Sequence, residues 1–306
     1  MSLRPRLRAV TLTVTIALVA TLVLSGAVDQ ASADPTADRR TVGLVAPVSA
    51  APVRTAPGEI TTTARPKVLL GADVSWPECP KGSGVRERPG QGKPMPSASH
   101  RFLVVGLTNG MGFTPNPCLA RQLDWAKSHH VRVAPYAFTT YPTTSQQRRY
   151  RASGPYRGSG PRSRLRNAGY AQAVYNIATL RRSGLHAPMV WVDVEPSTAR
   201  PWSRNHAANR AVFAGNLRAY REAGYRVGVY STSYLWRDIL GPVRYGLPEW
   251  RTAGRSSRRA ALRMCSRSGF QGGRAVLAQW WTTSDHDVTC PGYATTTNLK
   301  RYFHRY

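Results

Sequence analysis

The chain has 306 residues, 42% of them hydrophobic, which is enough to bury one large core or two small ones and excludes a disordered chain. Its 43 Lys and Arg against 15 Asp and Glu give a net charge of +28. A polyanion is the expected kind of partner, and a carboxylate in a patterned position is informative because carboxylates are scarce.

The chain opens on "MSLRPRLR", a basic leader, followed by the apolar run "AVTLTVTIALVATLVL" and the small-residue step Ala31-Ser32-Ala33. This order predicts a secretory signal peptide over residues 1–33, with the mature protein beginning near Asp34. An uncleaved anchor is the alternative reading, because the run is almost long enough to span a bilayer. There is no twin-Arg pair, so the general secretory route is expected, and no later segment is long and apolar enough to span. Three arginines and one aspartate leave with the signal, which lowers the net charge to about +26.

Export places Cys79, Cys118, Cys265 and Cys290 in an oxidising compartment, where they read as two disulfides. Of the possible pairings, Cys79–Cys118 and Cys265–Cys290 are favoured as the nearest in sequence. No two cysteines have short metal-ligand spacing, so no zinc site and no other cofactor are expected. Outside the cell the polyanions within reach are cell-wall polymers and anionic lipid head groups rather than nucleic acid. A secreted monomer associated with the wall is the expectation.

Residues 34–66 are rich in Ala, Pro, Thr and Arg without periodicity and read as a flexible linker. From residue 67 to 306 short apolar strands alternate with amphipathic helices. "KVLLGADVSW" and "RFLVVGLTNG" are strands, "PCLARQLDWAKSHH" is a helix and "VRVAPYAFTTYP" a strand. The helix "NAGYAQAVYNIATLRRSG", the strand "APMVWVDVEPS", the helix "NRAVFAGNLRAYREAGY" and the strand "RVGVYSTSYLW" follow. Then come "PEWRTAG" as a weak strand, "RRAALRMCSRSG" as a short helix, "RAVLAQWWTT" as a strand and "TTTNLKRYF" as a last strand. Such alternation predicts an α/β fold, a modified TIM-type (β/α) barrel. A doubly wound open sheet is the alternative, but "GADVSWPEC" is not the Gly-rich phosphate loop that such a sheet carries after its first strand.

In a barrel the functional side chains lie at the carboxyl ends of the strands. In "MVWVDVEPS" strand alternation puts Val190, Val192 and Val194 on one face, toward helices, and Trp191, Asp193 and Glu195 on the other, toward the interior. Asp73 and Ser75 are placed the same way at the end of the first strand. Three carboxylates therefore converge on one end. Trp76, Tyr136, Phe138, Trp191, Tyr230, Trp280 and Trp281 fall at or near strand ends, and aromatics beside carboxylates suit a glycan cleft. The Arg-, Ser- and Gly-rich segment 145–166 reads as a long cationic loop over that face, and "SDHDVTC" reads as a turn rather than a metal site.

Several of these stretches resemble the family 25 glycoside hydrolases, secreted lysozyme-type muramidases, and a related actinobacterial glycoside-hydrolase-like domain of unknown function. The resemblance runs over residues 67–304 and rests on "GADVSWPECP", "VRVAPYAF", "MVWVDVEPS", "YRVGVYSTSYLW" and "VLAQWWTTS". It implies a modified β/α barrel that cleaves peptidoglycan after N-acetylmuramic acid by a substrate-assisted route. Glu195 would be the general acid, Asp193 would steady the substrate N-acetyl group, and Asp73 would support them. Trp76, Tyr136, Trp191, Tyr230, Gln279 and Trp280 would bind the glycan. Two departures stand out. Thr296 occupies the place where "TTTN" should supply an Asp, and Ala278 replaces the first Trp of the late "W-Q-Y" strand. The missing carboxylate keeps open a non-catalytic wall-glycan binder on the same barrel, or a purely structural role.

Overall fold

The computed structural model describes residues 67–197 and 201–306. The expected signal peptide (1–33) and linker (34–66) lie outside the described residues. The strands are β1 (Leu70–Val74), β2 (Gly84–Val85), β3 (Arg88–Pro89), β4 (Phe102–Gly106), β5 (Arg132–Phe138), β6 (Met189–Asp193), β7 (Arg226–Ser231), β8 (Glu249–Arg255), β9 (Ala275–Trp281) and β10 (Asp285–Thr289). The helices are α1 (Leu119–Ser128), α2 (Thr144–Arg149), α3 (Pro161–Arg182), α4 (His206–Glu222), α5 (Ser233–Leu240), α6 (Arg258–Ser266) and α7 (Thr296–Tyr302). Eight strands close into a barrel in the order β1-β10-β9-β8-β7-β6-β5-β4, which removes the open-sheet alternative. β10 runs antiparallel to both neighbours and every other pairing in the barrel is parallel.

The alternation read in "MVWVDVEPS" is the alternation found. Val190, Val192 and Val194 pack outward among the helices with Leu180, Phe213 and Leu217. Trp191 points inward with Phe102, Met189 and Trp250 and is completely buried. Burying about 200 Å² of tryptophan surface is worth roughly 5 kcal/mol, so this ring is a principal filler of the barrel. Outside the barrel, α3 and α4 cross closely because Gly169 faces the carbonyl of Val212 and Gly215 faces the carbonyl of Arg166, with no room for a Cβ at either.

Both favoured disulfides form, Cys79–Cys118 and Cys265–Cys290, closing separations of 39 and 25 residues. The first ties the segment after β1, which carries the small β2–β3 hairpin, to the start of α1. Among the described residues no helix is long and apolar enough to cross a membrane.

Four expectations fail locally. "TTTNLKRYF" is the helix α7: the Thr295 hydroxyl accepts from the Asn298 amide, and Leu299, Tyr302 and Phe303 form one apolar face at helical spacing. "SDHDVTC" contains the strand β10, whose polar residues disguise it because half of them face the barrel mouth. In "YSTSYLW" the strand stops at Ser231 and Thr232 caps α5 through the Leu235 amide, at 3.0 Å. Segment 145–166 is only partly a loop. It contains most of α2 and the first turn of α3, with Pro161 at its start and Leu165 buried, so it cannot be removed without cutting into the α3 packing.

Candidate functional site

The carboxyl ends of β1, β5, β6, β7, β8 and β9 surround a cavity of about 300 Å³ lined by Asp73, Tyr136, Asp193, Glu195, Tyr230, Trp250, Gln279, Trp281 and Asp285. β10 begins at this mouth because it is antiparallel, so its first residues lie beside the last residues of the parallel strands. Asp285 pairs with Trp281 and Asp287 with Gln279. Gly106 at the end of β4 leaves space that the Tyr136 ring uses; a Cβ there would sit 2.7 Å from the Ser75 Cβ and 3.0 Å from the Tyr136 ring.

A hydrogen-bonded chain crosses the floor. The Tyr230 hydroxyl donates to Gln279 Oε1 at 2.7 Å, and Gln279 Nε2 donates to Asp73 Oδ2 at 2.9 Å. Asp73 lies beside Asp287, whose Oδ1 accepts from Trp250 Nε1 at 2.7 Å and whose Oδ2, buried without a hydrogen-bond partner, is satisfied only when one of the two carboxyls carries a proton. Two carboxyls in contact in a buried site share a proton. Asp73 is pushed well above the usual carboxylate range, first by burial and then by the charges of Asp285 and Asp287. Burial raises Asp287 to about 7, opposed by its hydrogen bonds from Asp73 and Trp250.

Asp193 and Glu195 form the second carboxyl group of the site. Asp193 is 5% exposed, and its Oδ1 is buried with no hydrogen-bond partner. Burial raises its pKa strongly and the neighbouring Glu195 adds to the shift, while Arg88 opposes it. Glu195 is half-buried at the rim, with its backbone carbonyl held by Trp202 Nε1 at 2.8 Å. Burial lifts its carboxyl to about 7 against the lowering effect of Arg88. A carboxyl at about 7 that still reaches solvent can lend a proton at neutral pH.

Arg88 is a site residue that the sequence reading passed over. It belongs to the β2–β3 hairpin, and its guanidinium lies 5.8 Å from the Trp76 ring and 5.7 Å from the Phe138 ring. Gly110, at φ +68°, lets the Arg88 side chain lie against the backbone, where a Cβ would meet its Cδ at 2.5 Å. Lys93 reaches the same side of the mouth, with Nζ 3.5 Å from the Thr283 carbonyl, and lowers Asp285 against the upward push of burial.

The structure brings Asp73, Asp193, Glu195, Tyr136, Tyr230 and Gln279 together as expected. It does not bring three others. Trp191 is fully buried beneath the cavity, 6.2 Å from Trp250, and offers no surface to a ligand. Trp280 points out of the barrel, stacked on His286 at 5.1 Å; the next residue, Trp281, is 41% exposed and lines the mouth instead. Trp76 lies beside the cavity under Arg88 without lining it. Thr296 is exposed on α7, which seals the other end of the barrel by stacking Tyr302 on Trp191, 6.4 Å apart. Late carboxylates do reach this end of the barrel, but from β10, where Asp285 lines the cavity and Asp287 pairs with Gln279. The alternation D-x-D in "DHDVT", after a strand ending in Trp281, was the available signal. Among the described residues no cluster of His, Cys, Asp and Glu is arranged to hold a metal ion.

A family model described as "Lys-1: Lysozyme-like protein 1" matches residues 160–250. Lysozyme-like protein 5 of Caenorhabditis elegans is 30% identical over 75 residues, 24% of this chain and 34% of that protein. The probable GH family 25 lysozyme 4 of Dictyostelium discoideum is 36% identical over 64 residues, 20% of this chain and 29% of that protein. The chain thus spans about a third of the length of the curated relatives it matches. Among solved structures, the lysozyme from Streptomyces coelicolor aligns with a TM-score of 0.49 at 15% identity, covering 76% of this chain and 96% of the other. A family GH25 lysozyme from Aspergillus fumigatus aligns with a TM-score of 0.48 at 15% identity, covering 77% and 99%. The matched stretch 160–250 runs from α3 to the start of β8 and contains Asp193 and Glu195, so the part of the chain that is lysozyme-like in sequence includes the pair of carboxyls at the mouth of the barrel.

Proposed function

We propose that the protein is a secreted glycoside hydrolase of cell-wall glycan, of the peptidoglycan muramidase type, with Glu195 as general acid. The observation that carries this reading is the set of carboxyls at one barrel mouth, with Glu195 at about 7 on the rim and Asp193 buried beside it with an unpartnered oxygen. The cavity of about 300 Å³ is at the small end of ligand sites, on the scale of a single sugar residue.

In this mechanism Glu195 protonates the glycosidic oxygen as the bond to the anomeric carbon breaks. Asp193 Oδ1 accepts the N–H of the substrate acetamido group, which aligns the acetamido oxygen with the anomeric carbon. Water then opens the cyclic intermediate, with Glu195 taking back a proton. Arg88 opposes the upward shift of both carboxyls and so favours their ionised forms. Asp73 and Asp287, sharing a proton, hold Gln279 and through it Tyr230 in place. Trp281 provides an exposed ring on which a sugar face can stack.

The non-catalytic reading rests on Thr296, and the carboxyls of Asp285 and Asp287 on β10 weigh against it. The signal peptide expected over 1–33 from the sequence, together with the two disulfides, supports an extracytoplasmic site of action. The test is incubation of the purified protein with purified peptidoglycan. New reducing ends at muramic acid are expected, and their absence with glycan still bound would replace the hydrolase with a binding module.

A further inference from the structure

The end of the barrel opposite the mouth is ringed by arginines. Arg101 precedes β4, Arg132 opens β5, Arg226 opens β7 and Arg274 precedes β9. The carboxyl-terminal segment adds Arg301 on α7 and Arg305, next to His304, whose backbone bridges to Val133 of β5. Arg132 feels both Arg305 and Arg101 as like charges, and Tyr302 feels both Arg301 and Arg226, so these groups are neighbours and not merely numerous. The two ion pairs found among the described residues, Arg218–Glu222 and Arg251–Glu249, include none of them. The acidic residues Asp73, Asp193, Glu195, Asp285 and Asp287 are gathered around the mouth.

A cluster of like charges costs stability unless something neutralises it. Between Arg274 and Arg301 this face also has a cavity of about 730 Å³, with polar Asn298 and Tyr302 on its wall and turns built from Gly246, Gly272 and Gly292 at its edge. The three glycines, at φ +65°, +85° and +87°, keep those turns tight and free of side chains.

We propose that this face is a second binding site, for a flexible phosphodiester polymer, with one phosphate seated between Arg274 and Arg301 and its neighbours on the surrounding arginines. A guanidinium keeps its charge at any working pH and presents a fork that fits a phosphate oxygen pair. A lipid surface fits less well: among the described residues the exposed large hydrophobics are Val174, Tyr234 and Trp281, on α3, on α5 and at the mouth. Duplex DNA also fits less well, because the helix at this face, α7, is seven residues long and packs across the barrel end instead of standing out to enter a groove. The site holds independently of the hydrolysis proposed at the other end, and it would tether the protein to the wall with its mouth turned away from the anchor.

The test compares two variants of equal net charge for binding to poly(glycerol phosphate). One combines Arg132→Gln, Arg274→Gln, Arg301→Gln and Arg305→Gln. The other combines Arg148→Gln, Arg151→Gln, Arg157→Gln and Arg162→Gln, all on the exposed segment around α2 and the start of α3. The first should bind at least ~10-fold more weakly, with the salt dependence of log K reduced by about 2–3, as expected when three phosphate contacts are lost. The second should stay near wild type. Poly(glycerol phosphate) should raise the Tm of the wild type and not that of the first variant, whose own Tm should be no lower because repulsion has been relieved. Equal weakening by both sets would overturn the proposal in favour of general charge. Tighter binding of duplex DNA or of phosphatidylglycerol vesicles, at equal phosphate, would also overturn it.

Discussion

The substitution Asp287→Asn probes the part of the site that came from an unexpected strand. Asp287 is fully buried, with one carboxyl oxygen on Trp250 Nε1 and the other side of the group toward Asp73. Burial holds its carboxyl at about 7, well above the ordinary aspartate range, a difference worth roughly 4 kcal/mol at ~1.36 kcal/mol for each tenfold change in proton affinity. A carboxyl raised in the folded state binds its proton more tightly when folded. The stability it contributes is fully present below about pH 4 and is lost as pH rises through about 7. Asn keeps the oxygen that accepts from Trp250 and offers Asp73 an N–H in place of the shared proton, so Asp73 can ionise without a like charge beside it. The wild type should therefore lose up to about 4 kcal/mol of unfolding free energy between pH 4 and pH 8 through Asp287, and that part of the loss should vanish in the variant, leaving the part due to the burial of Asp73. Urea denaturation across this range, with the disulfides intact, measures it. Parallel stability profiles for the two proteins would refute the shared-proton arrangement.

Arg88→Gln removes the cation that opposes the upward shift of both Asp193 and Glu195, so the pH limb of kcat assigned to Glu195 should move above about 7; a limb that stays put would remove Arg88 from the site. Trp281→Ala should weaken glycan affinity with little change in Tm. Trp280→Ala should instead cost roughly 3–5 kcal/mol of stability and leave the affinity of folded protein unchanged, and titration calorimetry with thermal melts separates the two. Gly169→Ala should lower Tm by forcing α3 away from the Val212 carbonyl, while hydrolysis by the folded fraction is retained; an unchanged Tm would mean that the helices are free to separate.

The barrel was legible because its strands are short, apolar and regularly spaced, and the two faces of "MVWVDVEPS" followed directly from strand alternation. Both disulfides agreed with the nearest-neighbour pairing. What misled was polarity. "DHDVT" is strand in a place where Asp285 lines the mouth and Asp287 accepts a hydrogen bond from Trp250, so it lacks the apolar signature of a strand. "TTTNLKRYF" has β-branched threonines, but a threonine cap and an apolar i, i+3, i+4 face make it a helix. Placing the late Asp at Thr296 was the consequence of both errors. The aromatics failed for a related reason: nearness to a strand end says nothing about direction, and one residue decides whether Trp280 or Trp281 lines the mouth. Arg88 was out of reach because it arrives on an inserted hairpin whose position over the mouth depends on tertiary packing and on the Cys79–Cys118 tether.

The most direct measurement is Glu195→Gln assayed beside the wild type on purified peptidoglycan. Gln keeps the size and the hydrogen bonding of the side chain and removes the proton to be transferred. Release of reducing ends should fall by at least ~10²-fold, while co-sedimentation with peptidoglycan is unchanged. Equal release by the two proteins would contradict Glu195 as the general acid and, with it, the assignment of this mouth as the active site.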